Sequence, residues 1–171
     1  MTVDEALERI YPTLLRSLDA GSGGPFVAGV LLDGELVGTG TNSVLGDCDV
    51  TRHAEMNALG DASRRLATVK LDRALLVTSH FPCLMCLHAL KWARIPETHY
   101  VFDYGETERI FGFRGDARML SDLGLSPESL ERDPSLRLVR ASGRAALELY
   151  RGKLPELWND LYRARLSSYD V

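Results

Sequence analysis

The chain has 171 residues, of which 45% are hydrophobic and 26% are charged, and its net charge at pH 7 is −4. This composition is typical of one globular domain with a sizeable core, and no apolar run is long enough to cross a bilayer. A negatively charged chain has no general attraction for nucleic acid, so neither a membrane nor a nucleic acid is an expected partner.

The cysteine content and the N-terminus both favour a reducing compartment. Three cysteines, of which Cys83 and Cys86 form a Cys-x-x-Cys pair, do not make a disulfide framework. In a reducing compartment such a pair is typical of a metal-binding or catalytic site. The first ten residues lack the basic and then apolar pattern of a secretory signal. We therefore expect a cytoplasmic protein.

An amphipathic helix is predicted at the start of the chain, over residues 3–18. Its apolar side chains recur at helical spacing, and Thr2 with Glu5 fits a capping box, in which each side chain bonds the backbone N–H of the other residue. Pro12 lies inside this segment and lacks a backbone N–H. It is therefore expected to kink the helix or to split it in two.

Strands and helices alternate in the segment that follows. Asp33-Gly34, a strong hairpin signal, joins two β-type runs at 26–32 and 35–42. After a polar loop at 43–52, the pattern predicts a helix, a strand, a second helix and a second strand at 53–67, 74–79, 83–94 and 98–103. This order favours an α/β fold, namely a three-layer α/β/α sandwich with a central sheet of about five strands.

After residue 104, glycines and a proline interrupt the helical pattern. A last strand is predicted at 136–139, followed by helices at 145–150 and 154–166. No linker, repeat or low-complexity stretch divides the chain. We expect a single domain over 1–171, in which 143–171 form a helical C-terminal tail.

Two short fragments carry the predicted chemistry, His53-Ala54-Glu55 and Pro82-Cys83-Leu84-Met85-Cys86. Together they form the His-x-Glu and Pro-Cys-x-x-Cys pattern of zinc deaminases that act on nucleobases. A catalytic zinc ion usually takes three protein ligands and keeps a fourth position for water. His53, Cys83 and Cys86 supply three ligands, so we predict one zinc ion per chain.

Helix geometry accounts for the spacing of these residues. Cys83 and Cys86 are about one turn apart, so both thiols can lie on one face of a helix start, where the unpaired N–H groups favour thiolates. Positions i and i+2 do not share a helix face, so His53 must lie at or near a helix start for Glu55 to approach the same ion. Glu55 is then placed to take a proton from water at the zinc and to deliver it to the substrate.

Each of these residues also has a simpler interpretation. A Cys-x-x-Cys pair alone is compatible with a redox site or with half of a structural zinc site, but the chain lacks a second cysteine pair. Glu55 alone would be a solvated carboxylate on a helix. His80 is either a packed residue at a strand end or a substrate contact, and Trp92 and Met85 are expected in the core.

Further short motifs accompany the two fragments, in order along residues 20–113: Gly23-Gly24-Pro25-Phe26, Asp33-Gly34, Asn42 and Trp92-Ala93-Arg94. With His53-Ala54-Glu55 and the Pro-Cys pair, they resemble the cytidine deaminase-like superfamily. Within it the chain looks most similar to the guanine deaminase branch of bacterial nucleobase deaminases.

The resemblance implies further site residues and a partner. In such enzymes an asparagine at the end of the second strand holds the base, and Asn42 is at the matching place. The main-chain N–H of Ala54 would contact the base. Phe26 would line the pocket, and the alternative for it is an aromatic residue of the core. Members are typically homodimers, and guanine deaminases exchange C-terminal tails that close over the partner's site. The helix at 154–166 and Tyr169 would form that lid; the alternative is an exposed, fraying chain end.

The chain departs from the family pattern near the expected substrate. Phe81 stands where the family commonly has Glu before the Pro-Cys pair. Guanine deaminases carry Gly-Phe-Asp-Asp where this chain has Gly112-Phe113-Arg114-Gly115, and those acids help to read the guanine edge. Asp116 can substitute for them if the loop shifts by a residue or two.

The expected function is hydrolytic deamination of a nucleobase, a nucleoside or a related amino-heterocycle, with release of ammonia. A guanine-like purine is the favoured substrate, and a cytosine-type pyrimidine is the alternative. Deamination of adenosine in transfer RNA uses the same zinc core, but the acidic charge of the chain disfavours it. The non-enzymatic alternative is a zinc-stabilised binding module. The presence of Glu55 disfavours this alternative.

Overall fold

The structure is a computed structural model that describes residues 1–143, Gly152 and Leu154. The described helices and strands are, in chain order, α1 (Val3–Asp19), β1 (Val27–Leu32), β2 (Glu35–Thr41), α2 (Val44–Asp47), α3 (Ala54–Leu66), β3 (Ala74–His80), α4 (Leu84–Trp92), β4 (Glu97–Phe102), α5 (Tyr104–Phe111), α6 (Gly115–Asp122), α7 (Pro127–Glu131) and β5 (Leu138–Arg140). None of these helices is long and apolar enough to cross a bilayer. The predicted tail helices, apart from Leu154, lie outside the described residues.

The strands of this part of the chain form one mixed sheet in the order β2-β1-β3-β4-β5. Strand β1 is antiparallel to both β2 and β3, whereas β3, β4 and β5 run parallel. Asp33 and Gly34 join β1 to β2 with φ of 52° and 78°, as an Asp-Gly hairpin requires. Helix α4 connects the parallel strands β3 and β4, so its start lies at the carboxyl end of β3.

Two clusters of buried side chains lie on opposite faces of the sheet. Val27 and Leu31 of β1 pack in the cluster that contains the buried face of α1. Ala28 and Val30, which point to the other face, pack with side chains of α3 and α4. Helix α1 therefore covers one face and α3 and α4 cover the other. This arrangement confirms the expected α/β/α architecture.

Helix α1 runs without interruption through Pro12, so the expected split of this helix is wrong. Its capping box between Thr2 and Glu5 is present as predicted. Pro12 is exposed, so the carbonyl that its missing N–H leaves unbonded can face water. An internal proline costs about 3 kcal/mol, whereas each fully buried aliphatic side chain contributes about 1.5–3 kcal/mol. Four such side chains outweigh the proline: Leu7, Ile10, Leu14 and Leu18.

Trp92 is exposed, so its predicted place in the core is wrong. Its relative exposure is 87%. The buried residues of α4 are Cys86, Leu87 and Leu90, and the helical rotation places Trp92, the last residue of the helix, on the opposite side. Helical spacing with Met85 therefore does not bring Trp92 to the sheet.

Helix α3 lies directly on the backbone of strand β2. A Cβ atom at Gly40 would be 2.3 Å from the carbonyl oxygen of Ala54 and 2.4 Å from the backbone N of Ala58. A Cβ at Gly38 would be 2.6 Å from the carbonyl oxygen of Ala58. The two glycines thus allow the helix to approach the strand, and this approach places the first turn of α3 over the end of β2.

Gly40→Ala is expected to lower the free energy of unfolding by about 1–3 kcal/mol, the usual cost of overpacking. The added methyl group must move α3 away from β2, because the atoms that it meets belong to the backbone. Urea denaturation of the zinc-loaded protein measures this change.

Gly60→Ala on the same helix is the matched control. Its Cβ meets only the flexible end of Arg64, at 3.2 Å, and alanine is the better helix former. This variant should be at least as stable as the parent protein. Equal losses of stability in the two variants would contradict the importance of the close approach.

Candidate active site

Two helix starts, those of α3 and α4, meet beside the carboxyl end of the central strand β3. His53 is the N-cap of α3, with φ −68° and ψ 157°, and Cys83 is the N-cap of α4, with φ −70° and ψ 169°. Cys86 follows Cys83 after one turn, inside α4. His53 therefore lies at a helix start, as the His-x-Glu spacing requires, and the short helix α2 in the preceding loop is separate from α3.

The three predicted ligand atoms have the separations of a tetrahedral zinc site. His53 Nδ1 lies 3.5 Å from Cys83 Sγ and 3.8 Å from Cys86 Sγ, and the two sulfur atoms are 3.6 Å apart. With Zn–S of about 2.3 Å and Zn–N of about 2.0 Å, tetrahedral ligands are separated by about 3.5–3.8 Å. One imidazole and two thiols are also donors that zinc prefers. The group therefore fits a zinc ion.

Glu55 lies beside these three residues and is held by the sheet. Its side chain is buried, and Oε1 accepts a hydrogen bond of 2.8 Å from the Thr78 hydroxyl of β3. The other oxygen, Oε2, lies 3.5 Å from Cys86 Sγ. The sequence carried no signal for Thr78, because spacing along the chain does not reveal which strand residue faces a given helix residue.

Acidic groups are crowded at this site. Burial and then the charge of Cys83 raise the pKa of Glu55, and the same two causes raise the pKa of Asp116 to about 7. The hydrogen bond with Cys86 lowers the pKa of Cys83 to about 4, while the same bond and burial raise the pKa of Cys86. Burial lowers the pKa of His53, but the hydrogen bond and charge of Cys83 outweigh it, and the pKa rises to about 9. A divalent cation would relieve this crowding of negative charge.

A cavity of about 120 Å³ opens beside His53, Glu55 and Cys83. The predicted contact residues within the described part of the chain all line it: Phe26, Asn42, Ala54, His80 and Asp116. Tyr169 lies outside the described residues. The remaining lining residues are Gly24, Val44, Leu45, Phe81 and Phe113.

Asn42 can offer an N–H donor to a ligand in this cavity. Its Oδ1 accepts hydrogen bonds from the backbone N–H of Gly24, at 3.2 Å, and of Val44, at 3.3 Å. Backbone N–H groups need an acceptor, so these bonds fix which side-chain atom is oxygen. The Nδ2 group then remains for a ligand, and it requires an acceptor atom there.

Aromatic side chains form one wall of the cavity. The ring of Phe26 meets those of His80 and Phe113 edge to face, at centroid distances of 4.7 and 5.8 Å. Burial lowers the pKa of His80 to about 3, and its Nδ1 is 2.8 Å from Ser79 Oγ. His80 is therefore a neutral, packed residue at a strand end that also lines the cavity. Phe113 was not predicted as a lining residue, although it lies in the segment that departs from the family pattern.

Phe81 belongs to a buried aromatic cluster next to the cysteines. Its ring lies 4.9 Å from that of Tyr100 and 5.1 Å from that of Tyr104. The Tyr104 hydroxyl donates a hydrogen bond of 3.0 Å to the carbonyl oxygen of Pro82. The cluster thus supports the turn that leads into Cys83, at the place where the family commonly has Glu.

Comparison with known proteins identifies the family of this chain. Residues 1–102 match the cytidine and deoxycytidylate deaminase zinc-binding region. The chain belongs to this family. The guanine deaminase of Bacillus subtilis is 36% identical over 104 residues, which cover 61% of this chain and 67% of that protein. An X-ray structure of guanine deaminase from Bacillus subtilis aligns over 88% of this chain and 94% of its own, with a TM-score of 0.67 and 29% identity.

Two further relatives show the breadth of the family. A variant of NE0047 in complex with 8-azaguanine aligns with a TM-score of 0.67 at 26% identity, over 88% of this chain and 84% of that chain. The tRNA-specific adenosine deaminase of Aquifex aeolicus is 41% identical over 71 residues, but these cover only 42% of this chain and 47% of that protein. The comparisons confirm the cytidine deaminase-like fold and a zinc-dependent hydrolytic deaminase, in the guanine deaminase branch of this superfamily.

Zinc binding to the metal-free protein is expected to release about two protons or more per ion at pH 7, because the ligands must bind in their deprotonated forms. At this pH His53 is protonated, since its pKa is raised to about 9, and the Cys86 thiol is protonated because its pKa is raised as well. Cys83, with its pKa lowered to about 4, is already ionised. Zinc affinity should therefore increase as the pH rises through neutrality.

Calorimetric titration with zinc in buffers of different ionisation enthalpy measures this proton release. Cys86→Ser should release about one proton fewer than the parent protein, because it removes one thiol proton from the count. Zinc binding without proton release would show that these residues are not the ligands.

Proposed function

We propose that this protein is a guanine deaminase, which hydrolyses guanine to xanthine and ammonia. The observation that supports guanine is the position of Asp116 in the cavity beside the zinc-binding residues. Asp116 is close enough to Cys83, His53 and Glu55 for their charges to affect its pKa. A carboxylate therefore lies near the place where the reacting carbon must sit.

The chemistry of the bases explains why a carboxylate there favours guanine. In guanine, the ring nitrogen N1 next to the amine-bearing carbon carries a hydrogen. In cytosine and adenine, the ring nitrogen next to the amine-bearing carbon is an acceptor without a hydrogen. A carboxylate accepts hydrogen bonds and cannot donate one when ionised. The positive charge of bound zinc would oppose the raised pKa of Asp116 and favour its ionised form. The ionised carboxylate would then pair with N1–H of guanine and oppose the acceptor nitrogen of the other two bases.

The proposed roles of the metal-binding residues and of Glu55 follow from their geometry. His53, Cys83 and Cys86 would hold zinc, which when bound lowers the pKa of a water molecule from about 15.7 to about 7. Glu55 would take one proton from the attacking water and give it to a ring nitrogen. It would then take the second proton from the hydroxyl group that the attack adds to the ring, and give it to the amine, which leaves as ammonia. Burial raises the pKa of Glu55 above the ordinary value of a glutamate, and a raised pKa favours a carboxylate that takes up a proton.

Thr78 would orient the proton carrier, and other cavity residues would position the base. The hydrogen bond from Thr78 occupies Oε1 of Glu55. Oε2, which lies 3.5 Å from the Cys86 sulfur, would be available for proton transfer once that thiol is deprotonated as a zinc ligand. Asn42 Nδ2 would donate to an acceptor atom of the purine. The N–H of Ala54, in the first turn of α3, has no acceptor within the helix and would do the same. Phe26 would pack against the planar ring.

We also propose that the protein is a cytoplasmic homodimer. The exposure of Trp92 at 87% and of Leu123 at 65% leaves large apolar side chains for a second copy to cover. The metal-binding thiols of Cys83 and Cys86 suit a reducing compartment. Sedimentation equilibrium would distinguish the dimer from the 18.9 kDa monomer.

The zinc-loaded protein should release ammonia from guanine with a kcat/KM at least about tenfold above that for cytosine, adenine or transfer RNA. Glu55→Gln should keep its zinc but lose about 10²–10⁴-fold in kcat, because general acid–base catalysis contributes that much. Ammonia release is measured by a coupled assay, and zinc content by mass spectrometry. Faster turnover of cytosine, or full activity of Glu55→Gln, would refute the proposal.

Asp116→Asn should lower kcat/KM for guanine by about tenfold to a hundredfold, because a hydrogen bond to a charged group is worth about 1.5–3 kcal/mol. Zinc content should not change. The control is Arg114→Ala, whose side chain pairs with Glu108 at the surface, at 2.9 Å. The control should retain full activity. An unchanged kcat/KM of Asp116→Asn would exclude this carboxylate from substrate recognition.

A further inference from the structure

We propose that Asn57 is a positioning residue that ties both ends of the loop between Asn42 and His53 to helix α3. In this way Asn57 would set the distance between the base-binding side chain and the metal. The inference rests on the proposed function only in assigning these roles to Asn42 and His53. The hydrogen bonds of Asn57 itself do not depend on that assignment.

The segment concerned is the loop of residues 43–52, here called the site loop. It leaves strand β2 immediately after Asn42 and enters helix α3 immediately before His53. Its residues Val44 and Leu45 line the cavity. The two ends of the site loop meet, because the Ser43 N–H donates a hydrogen bond of 3.0 Å to the Arg52 carbonyl oxygen. A compact loop with adjoining ends is an Ω-loop.

One amide group of Asn57 reaches both ends of the site loop. Its Nδ2 lies 2.8 Å from the carbonyl oxygen of Thr41, 3.0 Å from Ser43 Oγ and 3.4 Å from the Arg52 carbonyl oxygen. Thr41 and Ser43 flank Asn42, and Arg52 precedes His53. A single side chain therefore links the residues on either side of Asn42 to the residue before the metal ligand.

Helix α3 gives Asn57 a fixed base for these contacts. Asn57 lies one turn after His53, and its backbone N–H donates to the His53 carbonyl oxygen at 3.0 Å. The first turn of α3 in turn lies on β2 at Gly40. Any change in the position of Asn57 would therefore be transmitted to both ends of the site loop.

The chemistry of the three contacts requires a donor at position 57. All three partners are oxygen atoms, two of them carbonyl oxygens that can only accept. An amide supplies two N–H donors, whereas a carboxylate or a methyl group supplies none. Other side-chain bonds at the loop ends are exposed to solvent, namely those of Arg52 with Asp49 at 3.1 Å and with Asp47 at 3.9 Å, and that of Ser43 Oγ with Asp47 at 2.7 Å. Exposed ion pairs contribute little, so among the side-chain bonds Asn57 contributes most to holding the two ends, beside the backbone bond between Ser43 and Arg52.

Asp61 provides a matched comparison one turn further along α3. Its Oδ2 accepts a hydrogen bond of 3.0 Å from the backbone N–H of Thr39 in β2. Both Asn57 and Asp61 are partly buried, and both attach α3 to the same strand by one side chain. Only Asn57 also contacts the site loop. A role limited to helix–strand attachment would give the two residues the same effects.

Asn57→Ala and Asp61→Ala are compared as zinc-loaded proteins, with guanine as the probe. In Asn57→Ala, KM should rise about tenfold while kcat changes less than about threefold. A tenfold rise in KM is the effect expected when about one hydrogen bond that positions the substrate-binding residues is lost. Zinc content should not change. Hydrogen exchange of the Ser43 amide and of the other site-loop amides should become at least about tenfold faster. Asp61→Ala should lower stability without changing KM or site-loop exchange.

A milder pair of variants keeps the test valid if Asn57→Ala does not fold. Ser43→Ala removes one of the three acceptors, and Asp47→Ala removes the exposed partner of the same hydroxyl and an exposed, 3.9 Å partner of Arg52. Ser43→Ala should raise KM and site-loop exchange in the same direction by smaller factors, and Asp47→Ala should not.

Unchanged site-loop exchange in Asn57→Ala, or equal effects in Asp61→Ala, would overturn the role of Asn57. If the parent protein does not deaminate guanine, the proposed substrate is wrong. The exchange measurement still decides the role of Asn57 in that case, because it needs no substrate.

Discussion

The contact between helix α3 and the backbone of strand β2 determines where the ligand atoms of the site meet. Gly40 lets the first turn of α3 lie against the strand, so His53 and Glu55 occupy fixed places over its end. The second helix start, at Cys83, is supported from below by Phe81 and Tyr104. A tetrahedral site tolerates errors of only about 0.2 Å in ligand distances. Two helices positioned by backbone contacts meet that requirement better than two mobile loops would.

The electrostatics of the site complement this geometry. Burial removes water from Glu55, Asp116 and the two cysteines, and each negative charge there makes the next one less favourable. Such crowding costs folding free energy in the metal-free protein. This crowding strengthens the binding of a divalent cation, because the repulsion among the negative groups is replaced by their attraction to the cation. Groups with strongly shifted pKa values commonly cluster at functional sites, where they lower the stability of the fold but take part in metal binding or catalysis.

The sequence predicted the parts of the structure that depend on local spacing. The capping box at Thr2, the Asp33-Gly34 hairpin and the helix starts at His53 and Cys83 all follow from residues that are near each other in the chain. The order of elements was enough to predict the three-layer sandwich. Motif spacing likewise predicted which imidazole and thiols come together.

Contacts that depend on how strands and helices pair in space could not be predicted in this way. Thr78 reaches Glu55 from a different element, and Asn57 reaches back to the end of β2. Phe113 joins the cavity only because the segment after α5 folds over it. Two local rules were also misleading. The missing N–H of Pro12 did not split α1, because Pro12 lies on an exposed face, and the helical spacing of Trp92 did not place it in the core.

The bonds from α3 to β2 have a consequence for the behaviour of the protein in concentrated solution. Strand β2 is an edge of the sheet. Asn42 bonds Phe26, so in the alternating antiparallel register the backbone groups of Thr39 and Thr41 point away from β1. Open edges of this kind recruit strands from other molecules and start aggregation. Here Asp61 bonds the N–H of Thr39, and Asn57 bonds the carbonyl oxygen of Thr41. The side chains that attach the helix thus also occupy two outward-facing backbone groups of this edge, which disfavours intermolecular β-pairing there.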